Sequence, residues 1–188
     1  LLLVAAAAKT CSLSPPAAAA AAASPPFPSR EAELLAAARA MAPWLSELRR
    51  SLHETPELGF DLPVTHKKVS AVLKKLGVEH RRGRARDGIV ATIGGGDASS
   101  TPKSAKPTGR DSRNHLVYAL RADMDALPIL EESAYLSHSK NKGIMHACGH
   151  DAHMTMLLGA AKLLKEREAR LLHSPQASST DAPPPPSP

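Results

Sequence analysis

Residues 146–153 read His146-Ala147-Cys148-Gly149-His150-Asp151-Ala152-His153, and no other stretch limits the fold so tightly. Three imidazoles, a thiol and a carboxylate fall within eight residues. These groups are the usual ligands of zinc, manganese and related divalent ions, so a fold that uses them must bring several to one centre. On an unbroken helix His146, His150 and His153 would share a face through i+4 and i+3 steps. Gly149 argues against that, and the favoured reading is a loop leading into a helix capped by Asp151. In an extended approach Cys148 and His150 project to one side and both reach one ion, which keeps the thiol ionised. His153, at the start of the helix, is then a further ligand, a partner of a ligand or a capping group. Taken jointly the cluster favours a metal centre. The alternatives are a thiol activated by His150, or no function at all.

Upstream, Leu116-Val117-Tyr118-Ala119-Leu120 is a continuous apolar run, which predicts a strand buried on both faces. Asp123 and Asp125 follow it, two residues apart and so on the same side of an extended chain. Acids at the C-terminal end of such a strand lie where open α/β sheets bind ligands. Either could coordinate metal or orient a ligand imidazole. The bland alternative is that one of them pairs with Arg121. Glu131-Glu132 comes after Pro128 and reads first as a solvated pair.

The remaining periodicity alternates helix and strand, which favours an α/β sandwich. A helix is expected from about residue 30, capped by Ser29, with Glu31 and Glu33 at its positive end. Pro43 should kink it or begin a new one, in which Trp44, Leu45, Leu48 and Leu52 share a face. Pro56 ends that segment. A second helix is predicted over 65–76, with Thr65 as cap, Val69, Val72, Leu73 and Leu76 on one face, and Gly77 in the left-handed terminal position. Short strands are expected from Val78 and over 88–93. A last helix over about 152–170 buries Met154, Leu157, Leu158, Ala161 and Leu164.

These elements define a body over residues 30–172, with a polar insertion at about 94–114 and a Ser/Pro-rich tail over 173–188 expected to be disordered. Residues 1–29 read as a leader and a low-complexity linker. The opening Leu1-Leu2-Leu3-Val4 and its alanines resemble the end of a secretory signal, although no basic n-region precedes them, and a plain Ala-rich stretch reads equally well. No later segment is apolar and long enough to span a bilayer. The two cysteines, Cys11 and Cys148, cannot form an intrachain disulfide once a leader is removed. The net charge of +6 gathers around residues 67–86, yet aromatics are only 3% of the chain, so base stacking has little to use and a solvated basic face is the preferred reading over nucleic-acid binding.

Three stretches, in order, resemble the M20 metallopeptidase family. They are Arg49-Arg50-Ser51-Leu52-His53-Glu54-Thr55-Pro56-Glu57-Leu58-Gly59-Phe60; Ala119-Leu120-Arg121-Ala122-Asp123-Met124-Asp125-Ala126-Leu127-Pro128-Ile129; and Met145 to His153 with Leu157-Leu158-Gly159-Ala160-Ala161 behind it. The nearest branch is the one that holds the plant IAA-amino acid hydrolases of the ILR1-like type. The resemblance implies an α/β fold: a three-layer sandwich-type, zinc-peptidase-like catalytic domain, here truncated, with its inserted lid domain missing. It implies hydrolysis of small auxin–amino acid conjugates at a centre of two divalent ions, manganese or zinc. It implies residence in the secretory path and the endoplasmic reticulum lumen, and a homodimer only where the lid is present. Cys148 and His150 match two metal ligands of the family, Asp125 matches its active-site aspartate, and Asp123 stands where other branches carry a ligand histidine. Asp123 and His153 are thus further ligands or their partners. The chain departs from the family pattern after the last helix. There a Glu-Glu pair is expected, and His173-Ser174-Pro175 with a proline tail stands instead. Two later histidine ligands are also lacking, and the 94–114 insertion exceeds the family norm. The chain reads as an N-terminal fragment holding half of a metal site and no general base.

Overall fold

The computed structural model describes residues 2–8, 29–83, 86–94, 116–133 and 137–173. The expectations for the rest of the linker, the polar insertion and the tail lie outside the described residues. Helix α1 (Arg30–Ala40) begins where its sequence demands: Ser29 accepts a hydrogen bond from the Ala32 amide at 3.3 Å, and Glu31 and Glu33 occupy the first turn. A break at Met41 separates it from α2 (Ala42–His53), and Pro43 sits in the first turn of α2, where a missing N–H leaves no bond unmade.

Helix α3 (Pro63–Lys75) starts two residues before the predicted position, and Thr65 is buried inside it rather than capping it. The cap comes from a distance. The Glu57 carboxylate accepts from the Val64 and Thr65 amides at 3.1 and 2.7 Å, placing an anion on the positive end of the helix. Pro63 at the first helical position is the local sign of the true start. Gly77, at φ +66°, ends the helix as predicted. Strand β2 (Glu79–Arg82) then turns back as β3 (Ile89–Ile93), held to α3 by Asp87. That buried carboxylate accepts from the Leu62 amide at 2.8 Å and pairs with Arg82 at 2.7 Å.

The sheet is completed by β1 (Leu2–Ala8) and β4 (Leu116–Ala122), in the order β2-β3-β1-β4. Strand β1 runs parallel to β3 and antiparallel to β4, with Val4 opposite both Ala91 and Leu120. Residues read as the end of a leader therefore form an interior strand. A run of leucine, valine and alanine suits a signal's apolar core and a sheet interior alike, and composition does not separate the two.

Helix α4 (His150–His173) and α3 cover one face of the sheet, and α2 packs on α4. The core joins Val4, Ile89, Ala91 and Ile93 of the sheet to Val69 and Leu73 of α3 and Met154, Leu157 and Leu158 of α4. Strand β4 departs from its prediction. It lies at the sheet edge, and Tyr118 and Leu120 remain 59% and 44% exposed, so its apolar run is not buried on both faces. Among the described residues no helix is long and apolar enough to cross a membrane.

Leu158 is fully buried where α4 meets the sheet. Leu158→Ala is expected to cost about 2–5 kcal/mol, and Glu57→Ala about 1 kcal/mol. Urea unfolding, with the slope of each transition unchanged, checks both values.

Candidate metal centre

The site forms where the segment after β4 meets the loop before α4. Met124 is fully buried, and this pins the chain so that Asp123 and Asp125 on either side of it face outward, each with a side chain 38% exposed. Beyond them the backbone is clasped twice. The Ala126 amide donates to the Glu57 carbonyl at 2.7 Å, and Leu127 exchanges two hydrogen bonds of 3.0 Å with Met145. The second clasp brings residues 145–150 alongside the strand end. The loop then turns through Gly149, at φ +85°, where a side chain would strain the backbone. The Gly149 carbonyl accepts from the Ala152 and His153 amides at 3.0 and 3.1 Å, which starts α4.

Of the predicted site residues, the structure brings His150 and Asp125 together. His150 Nδ1 lies 2.8 Å from the Asp125 carbonyl oxygen and 3.2 Å from its Oδ1. A carbonyl can only accept, so Nδ1 carries the proton and the Nε2 lone pair is left to bind. Cys148 is an exposed free thiol in the same turn. Asp123 instead pairs with Arg121 at 2.6 Å. His153 is exposed, its ring centroid 5.8 Å from that of His150. A thiol with an imidazole of fixed tautomer is a donor set that fits zinc or a similar ion. Among the described residues no group of three or more His, Cys, Asp or Glu side chains is disposed to hold a metal, so these donors fit as part of a centre.

Beside this pair lies a network that sequence reasoning missed. Asp151, expected to cap α4, is completely buried in its first turn, and its Oδ2 accepts from Arg49 Nε at 3.1 Å and from His53 Nδ1 at 2.9 Å. His53 Nε2 faces Glu131 Oε1 at 3.2 Å. Glu131 is thus no solvated residue: its side chain is 5% exposed and also accepts from the Ser139 amide and the Ser133 hydroxyl, at 2.7 and 2.8 Å. Desolvation works to raise the Glu131 carboxyl, but the hydrogen bonds from Ser139, Ser133 and His53 outweigh it and hold the group down at about 2. Asp151 likewise titrates below the usual carboxylate range, because His53 and Arg49 overcome the effect of burial. Burial pushes the neighbouring His146 imidazole down, against the opposing pull of Asp151. Neither His146 nitrogen nor Asp151 Oδ1 has a hydrogen-bond partner among the described residues. The only sequence signal for this network is that His53 and Asp151 fall within two of the three quoted motifs.

Residues 119–177 match peptidase family M20/M25/M40. IAA-amino acid hydrolase ILR1-like 5 of Arabidopsis thaliana is 45% identical over 128 residues, covering 68% of this chain and 26% of that protein. IAA-amino acid hydrolase ILR1-like 4 of the same plant is 46% identical over 128 residues, with 68% and 25% covered. The solved structure of a dinuclear metal-binding peptidase of the M20 family from Bacillus subtilis superposes with a TM-score of 0.55 at 35% identity, covering 70% of this chain and 33% of that one. The chain spans about a quarter of the length of the curated relatives it matches.

The depressed Glu131 carboxyl sets a pH dependence. Ionised Glu131 stabilises the fold fully above its ordinary value of 4.5, and that contribution drains away as pH falls towards about 2. Glu131→Gln is expected to unfold at lower urea than the parent at pH 7 and to lose part of the parent's decline in midpoint between those two values. Urea titrations across the acid range check this.

Proposed function

The chain belongs to peptidase family M20/M25/M40, and from that premise we propose that it carries part of the metal centre of an amidohydrolase that cleaves indole-3-acetyl–amino acid conjugates. One observation carries the reading: the Asp125 carbonyl holds His150 Nδ1 at 2.8 Å, leaving Nε2 free two residues along the chain from the exposed Cys148 thiol. The substrate class rests on the names of the plant relatives.

Cys148 and His150 would hold a divalent ion. Thiolate and imidazole suit zinc, and added carboxylates suit manganese. Such an ion supplies a Lewis acid that makes water more acidic and polarises an amide carbonyl. The residues of this chain fix the ligands. Asp125 selects the tautomer of His150, Met124 anchors Asp125, and the Leu127–Met145 pair keeps the loop in register with the strand end. The general base and the remaining ligands would come from beyond these residues, where the greater length of the relatives lies.

A second reading is a non-catalytic product that binds metal or a partner weakly. The small donor set and the exposed β4 edge favour it. Hydrolysis of indole-3-acetyl-alanine decides between them, measured on the chain as it stands and on a version extended through a complete ligand set. Turnover by the extended form, lost to chelator and reduced about 100-fold or more by Cys148→Ala, supports the hydrolase. Turnover by neither form overturns it. Turnover by the unextended chain, abolished by chelator, removes the second reading.

A further inference from the structure

We propose that His53 is the positioning residue of the metal loop: by bridging Asp151 and Glu131 it sets the rotation of the first turn of α4 and so the direction in which His150 presents Nε2. The inference rests on the reading of Cys148 and His150 as metal ligands.

His53 closes α2, and its ring is largely buried, with a side chain 13% exposed. Its two nitrogens face two carboxylates on two other parts of the fold, Asp151 at 2.9 Å and Glu131 at 3.2 Å, 98 and 78 residues away. Each carboxylate is held a second time, Asp151 by Arg49 and Glu131 by Ser139 and Ser133. The bridge therefore ties α2, Glu131 with its partners Ser133 and Ser139, and the start of α4 together. Asp151 directly follows His150, so a shift of the Asp151 carboxylate turns the backbone from which the ligand projects. His150 has its other hold at Asp125, in the segment after β4. Two fixed points define its orientation, and one alone leaves the ring free to turn.

The chemistry of the bridge is specific to imidazole. An imidazole presents a hydrogen-bonding nitrogen on each of two edges, one towards each acid. An amide side chain donates from one end only and would turn its oxygen towards the second carboxylate. The ring centroid of His146 lies 6.3 Å from that of His53, but neither of its nitrogens has a hydrogen-bond partner among the described residues, so it supplies no second tether.

The test compares the parent chain with His53→Gln and Cys148→Ala. Histidine ring ¹H–¹⁵N spectra of the metal-free proteins report the tautomer of His150, and cobalt(II) titration read by thiolate-to-metal absorption reports affinity. The parent should show His150 as the single Nδ1–H tautomer. His53→Gln should show mixed tautomers and a cobalt dissociation constant raised about 10- to 100-fold, with helix content and cooperative unfolding retained. A folded His53→Gln that keeps the parent tautomer and cobalt affinity overturns the proposal. If His53→Gln does not fold, Glu131→Ala decides in its place, since it keeps the ring and removes one of its two acceptors: mixed tautomers support the inference, and the parent spectrum overturns it. Thiolate absorption that is absent from the parent, or persists in Cys148→Ala, sinks the metal reading instead. The tautomer comparison then still decides the role of His53.

Discussion

The backbone exchange between Leu127 and Met145 is the contact on which the site depends. It lays a loop that would otherwise wander over the surface against the end of the last strand, with two hydrogen bonds of 3.0 Å. Only then can the Asp125 carbonyl reach His150, and only then does α4 start in a position to bury Met154 and Leu158 in the core. The arrangement couples packing to chemistry. The apolar stripe of α4 fixes the axis of the helix, the axis fixes where its first turn lies, and that turn carries the imidazole. A ligand built in this way on a regular element is held more closely than one on a free loop.

Asp151 and Glu131 show how a protein keeps charge under cover beside such a site. A buried carboxylate without partners would take up a proton rather than bear the cost of desolvation. Here both stay below their ordinary values because donors meet them: Arg49 and His53 for Asp151, and His53 with Ser133 and Ser139 for Glu131. One imidazole serves both acids, so their energetics are coupled and neither can be altered alone. Such a group adds little net stability compared with a well-packed apolar one. Its value lies in the single geometry it enforces.

The elements readable from sequence are those whose signals are local. Ser29 with its acidic first turn, Pro43, the glycine after Leu76 and the stripe of α4 each act within about one helical turn, and each appears at its expected place. The misreadings share a cause: their determinants lie far away in sequence. The cap of α3 is the Glu57 side chain, in a loop several residues upstream, so Thr65 looks like the cap when it is core. Glu131 looks solvated because its partner His53 is 78 residues distant. The run at Leu116 to Leu120 has the composition of a covered strand, but coverage depends on neighbours, and β4 lies at an edge. Cys148 and His150 stand out because their chemistry is dense in one short span. Which of Asp123 and Asp125 faces His150 is not readable, because alternation puts both on one side. The Arg121–Asp123 pair and the contact of Asp125 with His150 separate them in three dimensions.

The order already present in the loop also bears on how it would bind an ion. His150 has its Nδ1 proton committed to Asp125, and Asp151 has two donors, so the loop is ordered by contacts that owe nothing to a metal. A loop organised in advance loses less of its binding energy to ordering when an ion arrives. The count of donors works the other way, since a thiolate and one imidazole leave most of a coordination shell open. With Cys148 and His150 as the proposed ligands, the number of donors would limit affinity in this chain. Each further donor that reached the same point from elsewhere would add its coordination energy to an imidazole whose Nδ1 is already held.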